Sequence, residues 1–309
     1  MKKILISAAT IAVFAAIIAL ITLNKTYVRL VKNPEKAARY VNLAEKAIDS
    51  GDAKLAETNA KLALSLNEKS GVAHFILARA LSLNRSAVRE EILSHFLRAE
   101  ELGLNSAAFY VNKAEAEMEI GKWEAGERSV NIALAKSPDY LPANYYKTLF
   151  FVFNKKDYEN AVALATKTAD QNPESSATAR ILALSLYKNG QTDEAVAVAE
   201  KAISSNPDYC HLYVIKAEIL KEKSISESEA ILSKAEAMAL KRLRGDKDHH
   251  LSNYCLASIY SLKGDLAVIR SEPEELAMAF YEQAMSINIS RGKISDTFRQ
   301  SAINALGLE

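Results

Sequence analysis

The chain has 309 residues, with 39 Lys and Arg against 38 Asp and Glu for a formal charge of +1. Hydrophobic residues make up 49% and charged ones 25%, the profile of an ordinary folded protein without the concentrated basic footprint of a nucleic-acid binder. Glycine (10) and proline (6) are scarce beside abundant Ala, Leu, Lys and Glu, a bias that favours helix nearly everywhere and argues against strands.

After a three-residue tail (1–3) comes "ILISAATIAVFAAIIALITL", residues 4–23, without a single charged side chain. Twenty residues of helix reach about 30 Å, the thickness of a bilayer hydrocarbon core, so the segment reads as a transmembrane anchor. A cleaved signal peptide is the rival reading, but the run ends "ITLNKTY" without small residues placed for cleavage. A basic linker, 24–36, follows. Within residues 1–36 stand six basic side chains and one acidic one, Glu35, which leaves 33 basic and 37 acidic residues beyond, a balance of −4. Five basic residues after the span (Lys25, Arg29, Lys32, Lys36, Arg39) oppose Lys2 and Lys3 before it. The expectation is a single-pass protein of a bacterial inner membrane, its body leaning to the cytoplasmic over the periplasmic side.

Beyond the linker the chain repeats. Pro138, Pro173 and Pro207 stand 35 and 34 residues apart. One ladder of mostly small residues runs Ala63, Ala99, Ala133, Thr168, Ala202, Ala237, Ala284. A second runs Ala44, Ala78, Ala114, Leu149, Ala183, Ala217, Ala257. Each unit reads as two helices, broken at Gly51-Asp52, Gly121-Lys122, Gly190-Gln191 and Gly264-Asp265, where glycine ends a helix without steric penalty. Prolines open the following unit, since they are excluded from helix interiors.

The pattern resembles the tetratricopeptide repeat, most closely in "SATARILALSLYKNGQTDEAVAVAEKAISSNPDY" with Ala183, Gly190, Ala195, Ala202 and Pro207. The resemblance implies an all-α, right-handed solenoid of seven units: 37–70, 71–106, 107–141, 142–175, 176–209, 210–249 and 250–288. A capping helix, 289–309, would close it, with Phe298 and Leu306 packed inward. The fourth unit departs from the pattern, with Leu149 and Lys156 where a small residue and glycine are usual.

In such arrays the first helices line a concave surface. In "KTLFFVFNKKDYENA", Tyr145, Thr148, Leu149 and Val152 would face the partner helix, and Tyr146, Phe150 and Phe153 would turn to the concave wall. The next unit contributes Arg180, Leu184 and Tyr187. These six residues are the expected partner-binding set, an aromatic and apolar groove for a peptide or helix of another protein, though single rings could instead fill inter-repeat space. The lysine and asparagine carboxylate clamp of some family members is absent, its places being held by Val111, Glu115, Tyr146, Phe150, Arg180 and Leu184.

Other chemistry finds little support. Cys210-His211 and His249-His250 with Cys255 could approach one another, but no C-x-x-C or H-x-x-x-H spacing exists, so no metal or other cofactor is expected. A Cys210–Cys255 disulfide would require an oxidising compartment. No G-x-S-x-G, phosphate loop or H-E-x-x-H is present, and the acid pairs Glu90-Glu91 and Glu274-Glu275 read as solvated helix faces. The sequence therefore points to a membrane-anchored interaction scaffold, neither an enzyme nor a binder of nucleic acid or small molecules. A structural part in a bacterial envelope assembly pathway (polysaccharide, pilus or cytochrome) is the alternative, and a metal-dependent enzyme the remote one.

Overall fold

The computed structural model describes residues 33–83, 88–245 and 250–289. Within them the chain forms fourteen α-helices and no strand. They pair as α1 (Pro34–Asp49) with α2 (Ala53–Leu66), α3 (Gly71–Leu83) with α4 (Arg89–Glu101), and α5 (Ala107–Glu119) with α6 (Trp123–Lys136). Then come α7 (Leu141–Leu149) with α8 (Tyr158–Gln171), α9 (Ser176–Lys188) with α10 (Thr192–Ser205), α11 (Cys210–Leu220) with α12 (Ile225–Gly245), and α13 (His250–Ile269) with α14 (Glu274–Ile289). A π-helical stretch, Phe150–Lys155, extends α7.

Local chemistry sets these boundaries. Asn33, Asp52, Ser106, Asp157 and Ser175 cap helix N-termini by accepting hydrogen bonds from the backbone N–H two or three residues into each helix. Gly51, Gly121 and Gly190 end first helices at φ 80°, 76° and 81°, the left-handed region that side chains resist. Close helix approach needs small residues, and Ala44, Ala78, Ala114, Ala183, Ala217 and Ala257 are all fully buried. Each first helix packs against both its own second helix and the first helix of the next pair, so the first helices form one continuous layer through the solenoid. Six apolar clusters, three of them large, succeed one another along the described residues in place of a single globular core.

Several expectations need correction. No helix among the described residues is long and apolar enough to cross a membrane, the 21-residue α12 and 20-residue α13 included. That overturns the inner-membrane localisation; the segment 4–23, on which the membrane as a partner rested, itself lies outside the described residues. Of the linker 24–36, residues 34–36 already belong to α1. The capping helix falls on 289–309, of which only Ile289 is described, as the end of α14.

Gly264-Asp265 is no helix break either. α13 runs through it to Ile269, and Ser271 turns the chain at φ 54°. Gly264 is small for a packing reason: a Cβ there would meet the Tyr281 ring of α14 at 2.6 Å. Ala237 is exposed rather than part of a buried ladder. α12 begins early, and its buried stripe is Ser228, Leu232, Ala235 and Ala239, at spacings of one helical turn.

Candidate partner-binding face

The fourth pair starts as its sequence suggests. Pro142 lies in the first turn of α7, and Ala143, Asn144 and Thr148 are buried toward neighbouring helices. From Phe150 the backbone widens into the π-helical stretch, whose i to i+5 bonds hold more residues per turn than an α-helix. Lys156 closes it at φ 55°, and Asp157 N–H donates to the Phe151 carbonyl at 2.9 Å.

This local change decides where the rings point. Phe150 is fully buried, edge-on to Trp123 with centroids 5.7 Å apart, in a cluster with Ala114 and Val130. Gly126 on α6 leaves the room: a Cβ there would lie 3.1 Å from the end of the Phe150 ring. Phe150 is thus core between the third and fourth pairs, which corrects its placement on the groove wall. Leu184, 8% exposed, is likewise core in the cluster shared by the fourth to sixth pairs. Phe153 is 42% exposed on the π-helical stretch.

The other three expected residues remain on the first-helix layer. Tyr146 is half-buried, stands at right angles to Tyr145 with centroids 5.6 Å apart, and donates its O–H to Glu115. Burial raises its phenol well above the ordinary tyrosine value, and the negative charges of Glu115 and Glu119 add to this. Tyr254 adds a smaller contribution in the same direction.

Arg180, one repeat later on α9, donates to the Tyr145 hydroxyl and holds its guanidinium 5.5 Å from that ring's centroid. Arg180, Tyr145 and Tyr146 therefore form one row. Tyr187, further along α9, is half-buried beside Lys188, whose ammonium sits 4.9 Å from the ring centroid. Burial raises the Tyr187 phenol too, and Glu218 and Glu222 reinforce the shift.

Charge on this face is unevenly compensated. Lys147 bonds Glu127 and Asn131, each at 3.0 Å, and Lys155 reaches the other Glu127 oxygen at 3.1 Å. Lys221 pairs with Glu218 and Asp265 at 3.1 and 3.0 Å. Arg180 has no carboxylate within ion-pair distance among the described residues, and its Nε is buried with no hydrogen-bond partner. Tyr145, which its sequence position assigned to the partner helix, was the missed member of the row. The signal that could have found it is its separation of 35 residues, one repeat, from Arg180.

A family model described as anaphase-promoting complex, cyclosome, subunit 3 matches residues 154–235. Among curated proteins none matches the sequence. A solved tetratricopeptide repeat protein from Parabacteroides merdae is similar over 88% of this chain and 99% of its own, at 18% identity and a TM-score of 0.58. PilF of Pseudomonas aeruginosa is similar over 71% of this chain and 95% of its own, at 16% identity and a TM-score of 0.51. Human IFIT1, solved as a dimer with m7Gppp-AAAA, is similar over 83% of this chain and 58% of its own, at 16% identity and a TM-score of 0.56. At such identities the likeness establishes the fold: an all-helical solenoid of the tetratricopeptide type.

Proposed function

We propose that the chain is a protein-interaction scaffold that holds a peptide or helix of a partner protein on its first-helix face, between α7 and α9. Tyr146, Tyr145 and Tyr187 supply rigid aromatic area, and Arg180 supplies the charged anchor, the residue types that dominate binding energy at interfaces. The observation that carries the reading is Arg180 itself, a half-buried guanidinium with no carboxylate of its own. An acidic or carbonyl group from a partner would complete it. Catalysis forms no part of this reading. The alternative, a purely structural part in an envelope assembly pathway, would leave the face without a ligand.

Peptides selected for binding to the purified chain provide the test. Arg180→Glu and Tyr187→Ala should each weaken the selected binders at least about tenfold, or roughly 1.4 kcal/mol, with the melting temperature nearly kept. Lys201→Glu, at an exposed position on α10, should change nothing. Binders that respond to Lys201→Glu and ignore Arg180→Glu would refute the assignment.

A further inference from the structure

The two cysteines lie on consecutive first helices. Cys210 opens α11, His211 follows it, and Cys255 sits in the second turn of α13. The structure joins the two sulfurs as a disulfide, with Cα atoms 6.5 Å apart. Cys210 Sγ is 3.8 Å from His211 Nδ1, and the three donor atoms all lie within 4.8 Å of one another. All three side chains are buried, at 8%, 5% and 0% exposure for Cys210, His211 and Cys255.

This convergence has a definite chemistry. Two cysteines and one histidine form a set that zinc takes, and without a carboxylate or amide oxygen the set is ill-suited to magnesium or calcium. Two thiolates and a neutral imidazole balance a divalent ion, so the filled site carries no net charge. That matters in an apolar setting, where an unbalanced ion is strongly disfavoured. Here Leu256, Ile259 and Leu232 belong to the surrounding cluster. The imidazole is also oriented: its ring stacks on Tyr254 at 5.3 Å and lies tilted against Tyr209 at 5.4 Å.

We propose that Cys210, His211 and Cys255 form a thiol-gated site for a soft divalent ion of the zinc type, with the disulfide as its closed form. Opening requires a dithiol reductant. The reductant's two thiols give two electrons and two protons to the Cys210–Cys255 bond, becoming a disulfide themselves while two protein thiols form. Metal entry then releases those two protons as both sulfurs ligate as thiolates and the unprotonated His211 Nδ1 completes the set. Either form bridges α11 and α13, so the last two pairs stay joined while the chemistry of the joint changes.

The test uses the full chain, reduced with a dithiol under argon, freed of reductant and titrated with cobalt(II) as a coloured stand-in for zinc. One equivalent should bind, with a thiolate-to-cobalt charge-transfer band that zinc then bleaches, and the oxidised chain should bind none. His211→Ala keeps both thiols and should weaken binding at least about tenfold while retaining the thiolate band. Cys255→Ser should abolish binding with the helical circular dichroism unchanged. A reduced chain without a thiolate band, or a His211→Ala variant that titrates like the natural chain, would overturn the proposal.

Discussion

In the fifth pair α9 ends at Lys188 and Gly190 turns the chain at φ 81°; in the fourth, Lys156 turns the corresponding corner at φ 55° after a π-helical stretch. The fifth pair packs through alanines, with Ala183, Ala195 and Ala199 fully buried. The fourth packs through rings, Phe150 wedged against Trp123 and over Gly126. Both fillings maintain the same solenoid, because each helix need only meet its neighbours at an acceptable distance. The difference shows where a repeat array can acquire specificity. The ring-filled joint spends one aromatic on the core and leaves Tyr145 and Tyr146 on the inner layer beside Arg180 of the regular pair.

The comparison predicts the largest effect at the ring-filled joint. Phe150→Ala should cost about 3–5 kcal/mol of unfolding free energy in denaturant titration, since a fully buried ring leaves a cavity against fixed neighbours. A loss below about 1 kcal/mol would mean that Phe150 is not a wedge. In the alanine-filled pair the damage comes from added volume. Ala195→Leu should cost roughly 1–3 kcal/mol by overpacking, whereas Lys188→Leu, at a half-buried site 3.9 Å from Glu218, should stay within about 0.5 kcal/mol.

The two corners should respond with opposite signs. Gly190→Ala should destabilise by about 1 kcal/mol through backbone strain alone, since a Cβ there meets nothing within 4 Å. Lys156→Gly relieves the same strain and should stabilise by up to about 1 kcal/mol. Equal signs at both corners would dissolve the parallel.

The smallest effect is electrostatic and belongs to the fourth pair. Burial pushes the Glu127 carboxyl up, but hydrogen bonds and charge from Lys147 and Lys155 outweigh it and leave the group below its ordinary value. A folded-state value below the unfolded one means that the unfolded chain binds protons first. The contribution is therefore present above the unfolded carboxylate range, about 4.3, and is lost as pH falls through the folded value. Solvent still reaches the network at Lys155, 47% exposed, so the contribution should stay below about 1 kcal/mol. The stability gap between the natural chain and Glu127→Gln should accordingly narrow from pH ~6 to pH ~3.

Helical content and solenoid class were legible because small-residue ladders and glycine corners encode helix contacts at a fixed period. Ala44, Ala78 and Ala114 are buried as their spacing implies. Gly264 deceived because glycine serves two purposes, ending a helix or admitting a neighbour, and only the Tyr281 ring across the pair distinguishes them. Ala237 deceived because α12 starts early and shifts its buried stripe. Phe150 was unreadable for a related reason. An ideal 3.6-residue projection cannot foresee a π-helical stretch, and the space Phe150 fills is created by Gly126 on another helix.

Photocrosslinking in cells would show which helix layer holds the partner. A photoreactive residue would replace Tyr187 on the first-helix layer and, in a second variant, Lys201 at an exposed position on α10. One defined protein adduct is expected from position 187, none from position 201, and loss of the adduct when Arg180→Glu is added. Adducts from position 201 with none from position 187 would place the partner on the outer helices and refute binding at the first-helix face.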